Sequence, residues 1–155
     1  MPSTHHGIFV HVVFSTKLRC PVIADEWRDE LFAYIGGTVR DHKATILQSG
    51  GIEDHIHLLA KIHPSFAISD TVKLLKANSS RWINEQRKIN AKFQWQRGYG
   101  VFSVSQSLAD RLKQYIANQR EHHKRQSFRD EYLELLRRHK IEFDERYVFD
   151  EEIVA

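Results

Sequence analysis

Two histidines two residues apart in an apolar run, His55-Ile56-His57-Leu58-Leu59, place the tightest constraint on how this chain folds. In a β-strand, residues i and i+2 point to the same face. Both imidazoles then project side by side, while Ile56 and Leu58 turn the opposite way. Paired imidazoles on a rigid element are half of a divalent-metal site. Taken alone, such a pair is more often incidental or hydrogen-bonded. A third ligand and a reacting group must come from elsewhere. The candidates are Tyr115 and Gln119, one helical turn apart and about sixty positions further on.

The sequence around this strand supplies a sheet to hold it. Residues 7–14 (GIFVHVVF) read as a first strand, with Ile8, Val10, Val12 and Phe14 on one face and Phe9, His11 and Val13 on the other. His11 could join a metal cluster, although a hydrogen bond is the commoner role. Pro21 disfavours helix at Cys20. Asp25 is a candidate N-cap for a helix running to about residue 42, and Gly36-Gly37 inside it suggests close packing. Residues 44–49 form a second strand, 50–54 a glycine turn, and 55–62 a third strand, together a hairpin. Ser69 or Asp70 can cap a helix from 71 to about 90. A short strand at 101–105 is followed by Ser107, a cap for a helix from 108 to about 125. There Leu108, Leu112 and Ile116 make a buried stripe, with Tyr115, Gln119 and His122 on the neighbouring one. A helix at 128–139 and an acidic aromatic tail at 142–150 complete the chain.

The order βαββαβ predicts an α+β, ferredoxin-like antiparallel sheet with helices on one face, plus C-terminal helices. The other face is left free for a site or a partner. With 155 residues the chain is expected to form one domain. Residues 1–125 are expected to form its catalytic part, and 126–155 a helix and tail belonging to the same domain.

Charge and cysteine content narrow the function. One cysteine, Cys20, excludes a disulfide framework or a cysteine-rich zinc site within one chain. Neither a signal peptide nor a run of about eighteen apolar residues is present, so an intracellular protein without a membrane partner is expected. The net charge of +3 is uneven: residues 61–125 hold 13 Lys and Arg against 4 Asp and Glu, a balance of +9, and 126–155 hold 5 against 9, a balance of −4. A basic middle between acidic ends suits a polyanion, and equally a solvated helix face. Lys73, Lys76 and Arg81, followed by Lys92, Trp95, Arg97 and Tyr99, mix bases with aromatics. That mixture suits stacking on unpaired nucleobases and contact with phosphates. The plainer alternative is that Trp95 and Tyr99 fill the core beneath a loop.

A tyrosine hydroxyl, with an ordinary pKa near 10, attacks a phosphodiester only when a base or cation assists. Two imidazoles and an amide oxygen would leave Mg2+ or Mn2+ open positions for phosphate oxygens. Tyr115 would then displace a 3′ hydroxyl and keep the 5′ phosphate as a phosphotyrosine, storing the bond energy without a nucleotide cofactor. Singly, Tyr115 reads more often as a packing residue and Gln119 as an exposed one. His122 and His123 could bind phosphate or metal, or merely end a helix. Asp54 could orient His55 or serve the turn.

These stretches together resemble the HUH-type single-tyrosine transposases of small bacterial insertion sequences, the IS200-like group. The resemblance rests on HVVFSTK at 11–17, GGIEDHIHLL at 50–59, SDTVKLLKANSSRWINE at 69–85, FQWQRGYGVFSVSQS at 93–107, YIANQREHHK at 115–124 and FDERYVFD at 143–150. It implies metal ligands at His55, His57 and Gln119 and a nucleophile at Tyr115. It also implies a homodimer acting on single-stranded DNA with a hairpin at element ends, in the bacterial cytoplasm beside the nucleoid. In dimeric members the tyrosine helix of one subunit can complete the site of the other. Glu53 departs from the proline that many members carry before the aspartate. Alternatives within the resemblance are a domesticated or replication-type nickase and a catalytically silent single-stranded-DNA-binding protein.

Overall fold

Apolar alternation in the first and third predicted strands produces the centre of the molecule. The computed structural model describes residues 3–149, so Asp150, the end of the expected tail, lies outside the described residues. Strands β1 (Ile8–Ser15), β2 (Thr45–Gly51), β3 (His55–Ile62) and β4 (Gly100–Val104) form one antiparallel sheet in the order β2-β3-β1-β4. The β1–β3 register sets His55 opposite Ser15, His57 opposite Val13 and Leu59 opposite His11. Directly opposed residues share a face. One face therefore carries His11, Val13, His55, His57 and Leu59, and the other carries Val10, Val12, Phe14, Ile56 and Leu58.

The second face is the main core. Helices α1 (Asp25–Thr38) and α2 (Ile68–Glu85) pack on it through Leu31, Ile35, Val72, Leu75 and Ile83, all buried. Each such side chain contributes roughly 1.5–3 kcal/mol on leaving water. Tyr34 stacks on Trp82 at 5.3 Å between the two helices. The start signals expected for these helices shift slightly. Ala24 and Ala67 occupy the cap positions, and Asp25, Ser69 and Asp70 fall inside the first turns, where a carboxylate complements the helix dipole. A Cβ on Gly36 or Gly37 would meet nothing within 4 Å, so these glycines do not mark close packing.

The first face is covered by the chain's own C-terminal helices. The helix expected from 108 to about 125 is interrupted. A 3-10 turn at Gln106–Leu108 leads into α3 (Ala109–Ala117), Asn118 breaks the helix, and a single turn, α4 (Gln119–His122), follows. Of the expected buried stripe, Leu108 is 51% exposed, whereas Ile116 is fully buried and anchors α3. Helix α5 (Phe128–Arg138) then crosses the histidine-bearing end of the sheet. Phe149 is buried against Phe128 and Tyr132, under the Arg19 guanidinium.

Gly50 explains how closely α3 approaches. The sequence suggests a turn at Gly50-Gly51, but both residues lie in β2, and Gly50 pairs with His57. A Cβ on Gly50 would lie 1.9 Å from the carbonyl oxygen of Ile116. Only glycine lets that backbone rest on the strand. Among the described residues no helix is long and apolar enough to cross a membrane.

Candidate active site

Strand β3 presents His55 and His57, both fully buried, to the underside of the C-terminal helices. Each ring is held from outside. His55 Nδ1 lies 2.8 Å from the Asp54 carboxylate, and His57 Nδ1 lies 2.8 Å from His11 Nε2. Asp54 serves the turn as well, because its carbonyl accepts from Thr16 N–H at 2.9 Å.

Helices α3 and α4 bring Tyr115 and Gln119 over these rings. The Gln119 amide nitrogen donates to the Tyr115 carbonyl at 3.2 Å. Its Oε1 is thereby turned inward, 3.1 Å from His55 Nε2 and 3.0 Å from His123 Nε2. His123 is not an exposed helix-end residue: its side chain is 4% exposed, and its Nδ1 lies 2.6 Å from the Gln126 carbonyl.

Glu131, on α5, occupies the middle of the arrangement. Ser127 caps α5 by accepting from Asp130 N–H at 3.1 Å, which sets Glu131 one turn into the helix. Phe128 stacks on His55 at 4.3 Å and fixes the helix over the site. Glu131 Oε1 lies 3.0 Å from His57 Nε2, 3.1 Å from His123 Nε2 and 3.5 Å from His55 Nε2. Its Oε2 accepts from the Tyr115 hydroxyl and lies 3.3 Å from His122 Nε2. Sequence reasoning missed this residue. The available signal was a carboxylate on the apolar side of a predicted helix, flanked by Phe128, Tyr132 and Leu135.

One potential ligand atom from each of His55, His57, His123 and Glu131 falls within 4.8 Å of all the others. Imidazoles and a carboxylate oriented from outside by hydrogen bonds form a donor set that fits a divalent cation. Burial, then the neighbouring imidazole, lowers the His11 pKa to about 3. Burial lowers that of His57 to about 4, so both rings are neutral at physiological pH. Burial opposes charge on Glu131, but hydrogen bonds from His123 and His57 bring its carboxyl well below the usual range. Burial works against a proton on His123, yet Glu131 raises its pKa above the ordinary value. Burial, then the Glu131 charge, pushes the Tyr115 phenol well above its ordinary pKa.

The basic and aromatic residues divide. Lys73, Lys76, Trp95, Arg97 and Tyr99 line one cleft of about 410 Å³ between α2 and the 94–99 loop, on the sheet face away from the histidines. Arg81 and Lys92 lie outside it. Trp95 is corrected as a stacking platform: it is 8% exposed, packs on Phe14 and Phe93, and donates to Ser79 Oγ at 3.0 Å. Lys76 serves the loop, donating to the carbonyls of Gln96 at 2.7 Å and Gly98 at 2.9 Å. A second cleft, of about 840 Å³, adjoins Tyr115 and is lined by His122, Lys124 and Arg125, none of which was singled out with the basic and aromatic residues above.

Comparison with known proteins points in one direction. The family described as "Transposase IS200 like" matches residues 4–119. The transposase for insertion sequence element IS200 of Salmonella typhimurium is 31% identical over 120 residues, 74% of this chain and 78% of that protein. The ISDra2 transposase TnpA of Deinococcus radiodurans is 26% identical over 114 residues, 70% of this chain and 81% of its own length. Among solved structures, the REP-associated tyrosine transposase bound to a REP hairpin shares the fold, with a TM-score of 0.55, 13% identity, and coverage of 75% of this chain and 70% of that one.

Proposed function

This chain belongs to the IS200-like transposase family, and from that premise we propose that it cleaves and rejoins single-stranded DNA at insertion-element ends through a phosphotyrosine on Tyr115. One observation carries the reading. The Tyr115 hydroxyl is hydrogen-bonded to a carboxylate whose other oxygen lies among the paired histidines, so nucleophile and candidate metal ligands meet in one place.

A divalent cation, Mg2+ or Mn2+, held by His55, His57 and Gln119 would polarise the scissile phosphate as a Lewis acid. The remaining work falls to side chains. Asp54 and His11 hold the two imidazoles in orientation from behind. Glu131 Oε2 aims the phenol oxygen and accepts its hydrogen bond. As that oxygen bonds to phosphorus, the bond from phosphorus to the 3′ oxygen breaks. The phenol proton is balanced by the proton gained on the released 3′ hydroxyl. The 5′ phosphate stays on Tyr115, and attack by another 3′ hydroxyl reverses the step onto a new strand end. Lys124 and Arg125, which line the cleft beside Tyr115, would meet the phosphates flanking the cut. Lys73, Arg97 and Tyr99, on the opposite layer, would hold a more distant part of the strand, such as a hairpin.

A homodimer is part of this proposal, and Tyr115 already reaches the histidine cluster of its own chain. The deciding experiment incubates the protein with labelled single strands from the flanks of its own gene, with Mg2+ or Mn2+. A denaturation-resistant adduct that needs metal, single strands and Tyr115, and disappears in Tyr115→Phe, is expected. Binding without any adduct would leave a DNA-binding protein with a silent site.

A further inference from the structure

The inner atoms of the site pose a problem of lone pairs. The Asp54 carboxylate and the Gln126 carbonyl are both acceptors, so they take the Nδ1 protons of His55 and His123. The Nε2 atoms of these two rings then carry lone pairs when the rings are neutral. They face Gln119 Oε1 at 3.1 Å and 3.0 Å, and His123 Nε2 also faces Glu131 Oε1 at 3.1 Å. A glutamine flip offers no escape, because the inward oxygen is fixed by the amide nitrogen's bond to the Tyr115 carbonyl. His57 adds a third Nε2, 3.0 Å from the same carboxylate oxygen, and its outer nitrogen is held by His11. The His11–His57 bond forms with either ring as donor, so it survives a change of tautomer. Around His55 and His123, acceptors therefore converge on acceptors, whereas His57 can donate its Nε2–H to Glu131 when His11 donates to its Nδ1, and His55, His57, Gln119 and Glu131 bury this space to 2% exposure or less. Only extra protons or one cation can hold such a set together.

We infer that His123 and Glu131 join His55, His57 and Gln119 as a five-donor centre that takes one transition-metal dication, such as Mn2+ or Co2+, in preference to Mg2+. The inference rests on the metal-assisted reading of this site and extends its ligand set. Three imidazole nitrogens suit the first-row transition ions, whereas Mg2+ prefers oxygen ligands and retains several waters. The buried set offers it little room for them. Glu131 then has two duties: Oε1 belongs to the centre, and Oε2 orients Tyr115, coupling the occupied centre to the position of the nucleophile.

The test is calorimetric titration of the chelator-stripped full chain with Mn2+, beside His57→Ala, His123→Ala and Glu131→Gln, with folding checked by circular dichroism. Wild type should bind one Mn2+ per chain. Each substitution should weaken binding about tenfold or more, since even groups that only orient a ligand cost roughly 10–100-fold. Mg2+ in large excess should displace Mn2+ poorly. Pulsed electron paramagnetic resonance on Mn2+-loaded wild type, which needs no variant, should detect three coordinated imidazole nitrogens. Two nitrogens, or wild-type affinity in both His123→Ala and Glu131→Gln while His57→Ala loses binding, would overturn the enlarged centre. The adduct chemistry would still stand. Ready displacement by equimolar Mg2+ would overturn the preference. Failure of wild type to bind Mn2+ would remove both this inference and the metal-assisted step.

Discussion

The hydroxyl of Tyr115 donates to Glu131 Oε2, while Oε1 of that carboxylate sits 3.0 Å from His57 Nε2. A helix residue and a strand residue of opposite chemical role are thus linked through one side chain. Glu131→Gln removes the negative charge that helps to hold the Tyr115 phenol protonated. The phenol pKa should then fall toward the ordinary value, though burial, the larger cause, stays. Adduct formation against pH is the measurement, and its rise with pH should begin at lower pH than in the wild type.

Acid should loosen the fold through buried neutral histidines. His57 titrates near 4 and His11 near 3 in the folded chain, against 6.5 unfolded. Between those values the unfolded state binds more protons, so stability is complete above about pH 6.5 and declines as pH falls toward 4. A single shift of this size corresponds to roughly 3 kcal/mol. Urea midpoints of the metal-free chain at pH 7 and pH 5 check this, and His11→Ala should flatten the dependence.

Gly50→Ala should prise α3 from the sheet. The new methyl meets the Ile116 carbonyl, which is backbone and cannot rotate away. A cost of about 1–3 kcal/mol is expected for such overpacking. Thermal unfolding reads the loss, and adduct yield should fall with it, because α3 carries Tyr115.

Trp95 and Lys73 line one cleft and should separate cleanly. Trp95→Ala empties a core position and should cost about 3–5 kcal/mol in unfolding free energy. Lys73→Ala, on an exposed side chain, should leave stability unchanged. If it meets a phosphate, it should lower the salt slope of single-strand binding by about 0.7.

Lys124→Ala combined with Arg125→Ala should reduce adduct formation more than Lys73→Ala does. Their cleft borders Tyr115, and that of Lys73 lies on the other sheet face. Single-turnover cleavage of a flank-derived strand is the measurement. Equal effects would place the scissile phosphate elsewhere.

Much of the fold was legible because it is written in local periods. Alternation in residues 7–14 and 55–62 put the histidines on the face opposite Ile56 and Leu58, and the β1–β3 register keeps them there. The i, i+4 spacing placed Tyr115 and Gln119 on one side of a helix, and both reach the histidine cluster despite the break at Asn118. Trp95 was ambiguous for a physical reason: an aromatic among bases reads alike whether it stacks on a nucleobase or fills a core.

What the sequence by itself determined was the pattern of faces and the order of the main strands and helices along the chain. These follow from backbone periodicity, which acts over a few residues. The tertiary structure alone decided that C-terminal helices close the expected free face. It also decided that Glu131, 74 residues from His57, completes the cluster. That meeting depends on Gly50 admitting the Ile116 backbone, on Ser127 starting α5, and on Phe128 stacking over His55. Such contacts arise from close packing between distant segments, and a carboxylate on a helix carries no local mark of the ring it will face.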